Sequence, residues 1–344
     1  MKNLELGIIC YTNLRSGLGI FAKEFIDNLG IDHILSVNSV KGREDWQETQ
    51  INASMRPNDS QIIELLEKID LLITLEIPFN FNAYRIAKEM GKKSAVVVNH
   101  EWFNLNDNWG DCDLFICPSK TAYDKLGKFG DKRLLINVPI DISGYKFTPR
   151  GGLFNSNVFV HNAGYGGIFK RKSTDEVIRA FHKSKAKKLI INAQRDIGDE
   201  LSFQAREILS EDTRIDFRIN DYEDNNELYK EGDIAIQPSK FEGYGRAIIE
   251  AMACGMPVIT TNQDPMNSFY PDKELLIKTD GAKLNAEGIF NAEVFSIDVC
   301  DLTEKINLFS KTNIRNLSHQ VRKEAENKFN WTNSNLKETL CRLN

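Results

Sequence analysis

Apolar residues in this chain gather in short unbroken runs, and each run gives way to a stretch with helical spacing. In the first half the runs lie at 4–12 (LELGIICYT), 33–38 (HILSVN), 70–76 (DLLITLE), 94–99 (SAVVVN), 113–117 (DLFIC) and 133–138 (RLLINV), and helical patterns lie at 19–29, 81–91 and 119–129. Alternation of strand and helix signals predicts parallel α/β architecture, and runs without polar alternation predict strands covered on both faces. A stretch rich in Pro, Gly and Ser at 139–156 interrupts this, and the pattern then starts afresh. The second half predicts strands at 157–161, 188–193, 214–219, 234–237, 257–261 and 293–297, and helices at 173–185, 199–209, 225–231 and 246–254, with more helix beyond 299. The 344 residues exceed what one core usually holds. We therefore expect two doubly wound, Rossmann-like domains, 1–150 and 151–328, facing across a cleft, with any ligand at the carboxyl ends of the strands.

Charge and cysteine usage narrow the chemistry. With 44 Lys and Arg against 49 Asp and Glu, the net charge of −5 gives no general attraction to nucleic acid or anionic membrane. The N-terminal apolar run is too short for a signal peptide, and no stretch approaches the roughly 18 apolar residues of a membrane span. A cytoplasmic location is the expectation. The six cysteines form no CxxC motif and have no accompanying histidine, which predicts reduced thiols and no metal site. Asp111-Cys112-Asp113 mimics a metal-binding D-x-D, but it precedes the strand DLFIC.

Two glycine-rich turns open helices. Gly17-Leu18-Gly19-Ile20-Phe21-Ala22 fits a G-x-G-x-x-A dinucleotide fingerprint. Four residues separate it from the strand, however, and the second strand ends in Val37-Asn38-Ser39 without an acid for a ribose. What remains is either a tight turn or a helix N-terminus offering N–H groups to an anion, with Arg15 beside it. The second turn carries Gly164, Gly166 and Gly167, then the cations Lys170, Arg171 and Lys172, then Ser173 or Thr174 as a helix cap. It reads as a phosphate site or as a solvated basic loop.

The stretch 238–262 (PSKFEGYGRAIIEAMACGMPVITTN) holds one anomaly. Its helix is apolar on every side except for Glu250, and a helix apolar all round is buried. A buried carboxylate needs a cation or hydroxyl donors. Side chains lean toward the helix N-terminus, which directs Glu250 to the loop with Gly243 and Gly245. Two readings stand: a structural ion pair with an Arg or Lys from a neighbouring strand, or a neutral polyhydroxyl group such as a ribose beside a phosphate.

Glu242-Gly243-Tyr244-Gly245, Glu250 and the following A-M-A-x-G-x-P-V-I resemble the donor-site signature of retaining GT-B glycosyltransferases of the glycosyl transferases group 1 (family 4) class. KRKSTDEVIRAF is similar to that family's lysine-containing helix start, and FNWTNSNLKETL to its C-terminal helix, which implies that 329–344 returns to the first domain. The resemblance implies a metal-independent, cofactor-free transfer of a sugar from a nucleotide sugar, such as a UDP- or GDP-sugar, to an unidentified acceptor. In it Glu250 accepts from ribose hydroxyls, Glu242 and the backbone from Gly243 through Tyr244 to Gly245 hold the donor sugar and diphosphate, Lys172 neutralises the departing diphosphate, and His100 lies near the transferred sugar. Gly166 stands where the family has an arginine, so Arg171 or Lys170 is expected to supply the second cation, and Ser268 stands where a glutamate is common. A GT-B epimerase, a phosphorylase and a non-catalytic sugar-nucleotide binder are the alternatives. Aromatic residues Trp102, Phe103 and Trp109 in the first domain are candidates for stacking on an acceptor or for core packing.

Overall fold

A computed structural model describes residues 4–14, 16–37, 50–151, 157–166, 170–284 and 292–343, with 280–284 described in the backbone only. The described residues form two compact units. The first comprises those of Met1–Ile140, Gly288–Ala292 and Trp331–Asn344, the second those of Asp141–Glu287 and Glu293–Asn330.

In the first unit seven parallel strands, β1 (Leu6–Tyr11), β2 (His33–Val37), β3 (Ile51–Ala53), β4 (Leu71–Leu75), β5 (Lys93–Val97), β6 (Leu114–Cys117) and β7 (Arg133–Leu135), lie in the order β3-β2-β1-β4-β5-β6-β7. Helices α1 (Gly17–Leu29), α2 (Asp59–Leu66), α3 (Asn82–Glu89) and α4 (Lys120–Lys125) connect them. The local chemistry explains the helix ends. Ser16 caps α1 by accepting from Gly19 N, and Gly30 ends it at φ 69°. Asn58 and Gln61 form a reciprocal capping box on α2. Strands β1, β2, β4, β5 and β6 are buried almost throughout, as their unbroken apolar runs predict, whereas the edge strands β3 and β7 are mostly half-buried or exposed; the unit holds two separate cores, one around Ile9, Leu35 and Leu72, the other around Val96, Phe103 and Trp109. Helix α11 (Leu336–Cys341) also belongs to this unit, where Trp331 packs edge-on against Phe25 at 5.1 Å.

The second unit repeats the plan. Strands β8 (Phe159–Gly164), β9 (Leu189–Ala193), β10 (Ile215–Ile219), β11 (Ile234–Gln237), β12 (Val258–Thr261) and β13 (Leu276–Ile277) are parallel in the order β10-β9-β8-β11-β12-β13. Counted from its own first strand, the second sheet runs 3-2-1-4-5-6 and the first runs 3-2-1-4-5-6-7, the doubly wound order, whose topological switch lies beside the first strand. Helices α5 (Thr174–Lys183), α6 (Phe203–Glu211), α7 (Arg246–Ala253), α8 (Met266–Phe269), α9 (Val299–Phe309) and α10 (Arg315–Phe329) complete it.

Several expectations are corrected. The run 293–297 does form a strand, β15 (Val294–Ile297), but it pairs antiparallel with β14 (Thr279–Leu284) outside the parallel sheet. The pattern at 225–231 yields only a 3-10 turn, Asn225–Tyr229. The helix expected over 119–129 stops at Lys125, and a 3-10 segment follows in which Gly130 adopts φ 55°. Residues 141–150 pack with the second unit, not the first. The buried Arg150 guanidinium explains this, because it donates to the carbonyls of Tyr229 at 2.8 Å, Gly232 at 2.6 Å and Cys254 at 3.2 Å, all in that unit. Strand β3 and strand β13 escape the sequence reading because three and two residues carry no periodicity.

Candidate functional site

The basic turn before α5 is held in strained backbone. Lys170 and Ser173 both adopt φ 54°, a left-handed conformation uncommon for side-chain-bearing residues and typical of ligand clamps. The turn thereby presents Arg171 and Lys172 toward the loop after β11, and Lys240 N donates to Arg171 O at 2.8 Å. Ser173 does not cap α5 with its side chain, and its hydroxyl is buried without a hydrogen-bond partner. Thr174 Oγ1 instead meets His161 Nε2 at 2.9 Å, while His161 Nδ1 meets Ile236 O at 2.7 Å. Burial lowers the His161 pKa to about 4.

Arg171 and Lys172 converge on Glu242. Lys172 Nζ donates to Glu242 Oε1 at 2.8 Å, Ser239 Oγ donates to the same oxygen at 2.7 Å, and Arg171 Nη1 donates to Oε2. Burial alone would raise the Glu242 pKa. The two cations overcome it and, with these hydrogen bonds, bring it down to about 2. Burial and the neighbouring Arg171 lower the Lys172 pKa, against the pull of Glu242 and, more weakly, Glu250. The three charges leave one positive charge in excess. A second buried pair sits alongside, Lys240 Nζ to Glu176 Oε1 at 2.9 Å; the sequence reading missed both residues, although each lies within five residues of a position it named.

Glu250 answers the anomaly of its helix. Its Oε1 accepts from Arg246 Nε at 2.6 Å and from the Tyr145 hydroxyl at 2.9 Å, and its Oε2 accepts from the Tyr229 hydroxyl at 2.9 Å. The expectation offered a cation or hydroxyl donors, and the residue has both. The cation comes from its own helix, one turn earlier, not from a neighbouring strand. A carboxylate has about four acceptor positions, so one on Oε2 is open. Gly245 initiates α7 at φ 77°, and a Cβ there would stand 2.7 Å from the Phe269 ring. Tyr244 is buried, as is Gly243.

The remaining predicted residues lie in the first unit. Gly17 opens α1, but the Gly19 N–H is taken by Ser16 Oγ at 3.0 Å. A Cβ on Gly19 would stand 1.9 Å from Asn13 O, so this glycine is required for close backbone approach. That corrects its reading as a free anion donor. Arg15 lies outside the described residues, as do Asn38, Ser39 and Gly167. His100 is buried at the start of a 3-10 turn after β5, its Nδ1 3.9 Å from Glu101 Oε2. Phe103 and Trp109 stack on each other at 3.9 Å in the core, whereas Trp102 is half-buried. Asp111 is bound to Lys88 at 2.8 Å and Asp113 accepts from Ser94 N at 3.0 Å, so the D-x-D string does not converge. Among the described residues no three His, Cys, Asp or Glu side chains gather as a metal site, and no helix is long and apolar enough to cross a membrane.

Residues 163–293, which contain Arg171, Lys172, Glu242 and Glu250, match the family model of glycosyl transferases group 1. Among solved structures the chain is similar to HepE of Anabaena in complex with UDP and glucose, at 15% identity and a TM-score of 0.70, covering 99% of this chain and 100% of that one. It is similar also to a glycosyltransferase of Rickettsia africae, at 15% identity and a TM-score of 0.74 over 100% of this chain and 98% of that one. Sucrose-phosphate synthase of Thermosynechococcus elongatus gives 15% identity and a TM-score of 0.69, with 99% and 98% covered. A comparison with curated protein sequences finds no match. At this identity the structural likeness shows the fold, and that fold is GT-B with two Rossmann-like domains.

Proposed function

We propose that the chain is a retaining glycosyltransferase that moves a sugar from a nucleotide diphosphate sugar to an acceptor hydroxyl, without metal or other cofactor. The observation that carries this reading is the convergence of Arg171 and Lys172 on Glu242, inside the segment that matches the family model. Lys172 Nζ spends one of three donors on Glu242 and keeps the rest for a phosphate oxygen. As the glycosidic bond breaks, negative charge grows on the diphosphate, and a preformed cation there lowers the barrier because it needs no reorganisation. Glu242, ionised at neutral pH, orients both cations and accepts from donor-sugar hydroxyls. Glu250 already accepts from two tyrosine hydroxyls, the chemistry a ribose diol would supply, and its open position on Oε2 receives a ribose hydroxyl. The solved relatives in complex with UDP and glucose or with UDP favour a uridine donor.

A non-catalytic sugar-nucleotide binder is the second reading. It is favoured by Gly166 in place of the family arginine: at φ 86° its absent side chain makes room for Glu200, whose carboxylate would lie 1.8 Å from a Cβ. Thermal shift with a panel of UDP- and GDP-sugars tests donor binding, since a ligand at 100 times its Kd stabilises by about 2.7 kcal/mol. Slow release of free sugar from the stabilising donor supports catalysis. Stabilisation with no release favours the second reading, and no stabilisation by any nucleotide sugar refutes both.

A further inference from the structure

Ser173-Thr174-Asp175-Glu176 at the start of α5 has the S-x-x-E spacing of a capping box, in which the serine hydroxyl accepts from the Glu backbone N–H and the carboxylate accepts from the serine N–H. The box is not formed. Ser173 sits at φ 54° and ψ 32°, in the left-handed region, and its fully buried hydroxyl has no hydrogen-bond partner among the described residues. Glu176 turns instead to Lys240, whose Nζ lies 2.9 Å from Oε1, and its buried Oε2 is likewise without a partner among them. Thr174 offers no substitute cap, because its hydroxyl meets His161 Nε2 at 2.9 Å.

A serine forgoes a favourable cap for a strained conformation only where the surrounding contacts over-determine it. Lys240 supplies such contacts. Its backbone N–H donates to Arg171 O at 2.8 Å, its carbonyl accepts from Phe295 N at 3.3 Å, and its largely buried side chain spans to the first turn of α5. Helix α5 is itself anchored, since Asp175 accepts from Ser202 N at 2.7 Å and His161 of β8 holds Thr174. Were Ser173 to rotate into the extended region of a capping serine, the chain before it would swing, and Arg171 and Lys172 would leave Glu242.

We propose that Lys240 is a positioning residue: by holding Glu176 away from the capping box it keeps Ser173 left-handed, and with it Arg171 and Lys172 in the arrangement that receives a diphosphate. The turn has two states, one with the cations assembled and locked by Lys240, the other capped with the cations dispersed. Lys240 acts through Glu176 and touches no substrate. Its part in donor binding rests on the glycosyltransferase reading, whereas the two states of the turn do not.

Two measurements on the full chain test this separately. Carbon-13 shifts of Ser173 report its backbone conformation without any ligand, and titration calorimetry with UDP and GDP reports the cations. Wild type should show left-handed shifts. Glu176→Gln removes the charge that Lys240 faces and can still take its place in the box. Lys240→Met and Glu176→Gln should each move Ser173 to extended shifts and raise the nucleotide Kd by about tenfold or more, because only the assembled fraction binds. Lys240→Arg, which keeps the ion pair, should restore both toward wild type. Adding Ser173→Gly to Lys240→Met should recover most of the affinity, since glycine adopts the left-handed turn without strain and has no hydroxyl to cap with. Circular dichroism confirms folding, and Glu176→Gln carries the test should Lys240→Met unfold. Left-handed Ser173 shifts in these variants overturn the proposal. So does an affinity loss in Lys240→Met that Glu176→Gln does not reproduce and Ser173→Gly does not restore, which would make Lys240 a direct ligand of the diphosphate. Extended shifts in Lys240→Met, in a chain whose wild type binds neither nucleotide, uphold the two-state turn and remove the glycosyltransferase reading.

Discussion

Replacing Glu242 with Gln isolates the electrostatics of the donor cluster. The side chain keeps its shape and can still accept from Lys172 and Ser239, but the charge that Arg171 and Lys172 face is gone. The Glu242 pKa is held at about 2, down from the ordinary 4.5. The residue is only 8% exposed, so little solvent screening applies. A depressed carboxylate pKa contributes stability that is present above the unfolded value and is lost as pH falls through the folded value. The displacement corresponds to about 3 kcal/mol at pH 7, falling to about 2 kcal/mol by pH 3.5. The variant should therefore be less stable by about 3 kcal/mol at pH 7, with the gap narrowing as the wild type is acidified. The described tryptophans, at 102, 109 and 331, lie in the first unit, so their fluorescence does not report this loss. Native-state hydrogen exchange of amides in α5 and α7 does, and it does not assume that two units unfold as one. A variant as stable as wild type, or one whose deficit is the same at pH 7 and pH 3.5, would refute the reasoning, because desolvation of the three charges would then have cancelled their attraction.

The other predictions probe separate links. Tyr145→Phe and Tyr229→Phe each remove one hydroxyl from Glu250 and should each cost about 1.5 to 3 kcal/mol of second-unit stability, measured by urea unfolding followed in the far ultraviolet; unchanged midpoints would mean that Glu250 relies on Arg246 alone. Lys172→Ala should lower kcat more than it weakens donor binding, and equal losses would mean that it does not act selectively on the transition state. Gly19→Ala forces a methyl group against Asn13 O and should cost at least 1 to 3 kcal/mol, roughly the range for overpacking, seen as a lower tryptophan-detected Tm. His161, its pKa lowered to about 4 by burial, makes stability fall as pH drops below 6.5, because the unfolded chain takes up the proton first; the loss should reach about 3 kcal/mol by pH 4 and be absent in His161→Gln.

Much of the architecture was written into local pattern. Strands covered on both faces are predominantly apolar without alternation, so runs such as those of β4 and β9 declare themselves, with five buried residues of five in each. The solitary carboxylate of α7 and the three cations before α5 were equally legible, because a charge on an apolar helix and a basic glycine-rich turn are anomalies of composition. Even Arg246 was within reach: it stands four residues before Glu250, the spacing of a helical ion pair.

Sequence by itself therefore determined the two-domain doubly wound plan and marked Glu250, Arg171, Lys172 and Glu242 as residues whose charge needs an explanation. Tertiary structure alone decided what each one faces. Lys172 meets Glu242 across 70 residues and Glu250 meets Tyr145 across 105, contacts fixed by strand order and not by any local periodicity. It likewise showed that Gly19 serves a backbone contact and that Phe103 and Trp109 are core. Period and propensity act over one helical turn or one strand, whereas a site is assembled where the ends of several strands meet, and only the folded sheet sets those ends side by side.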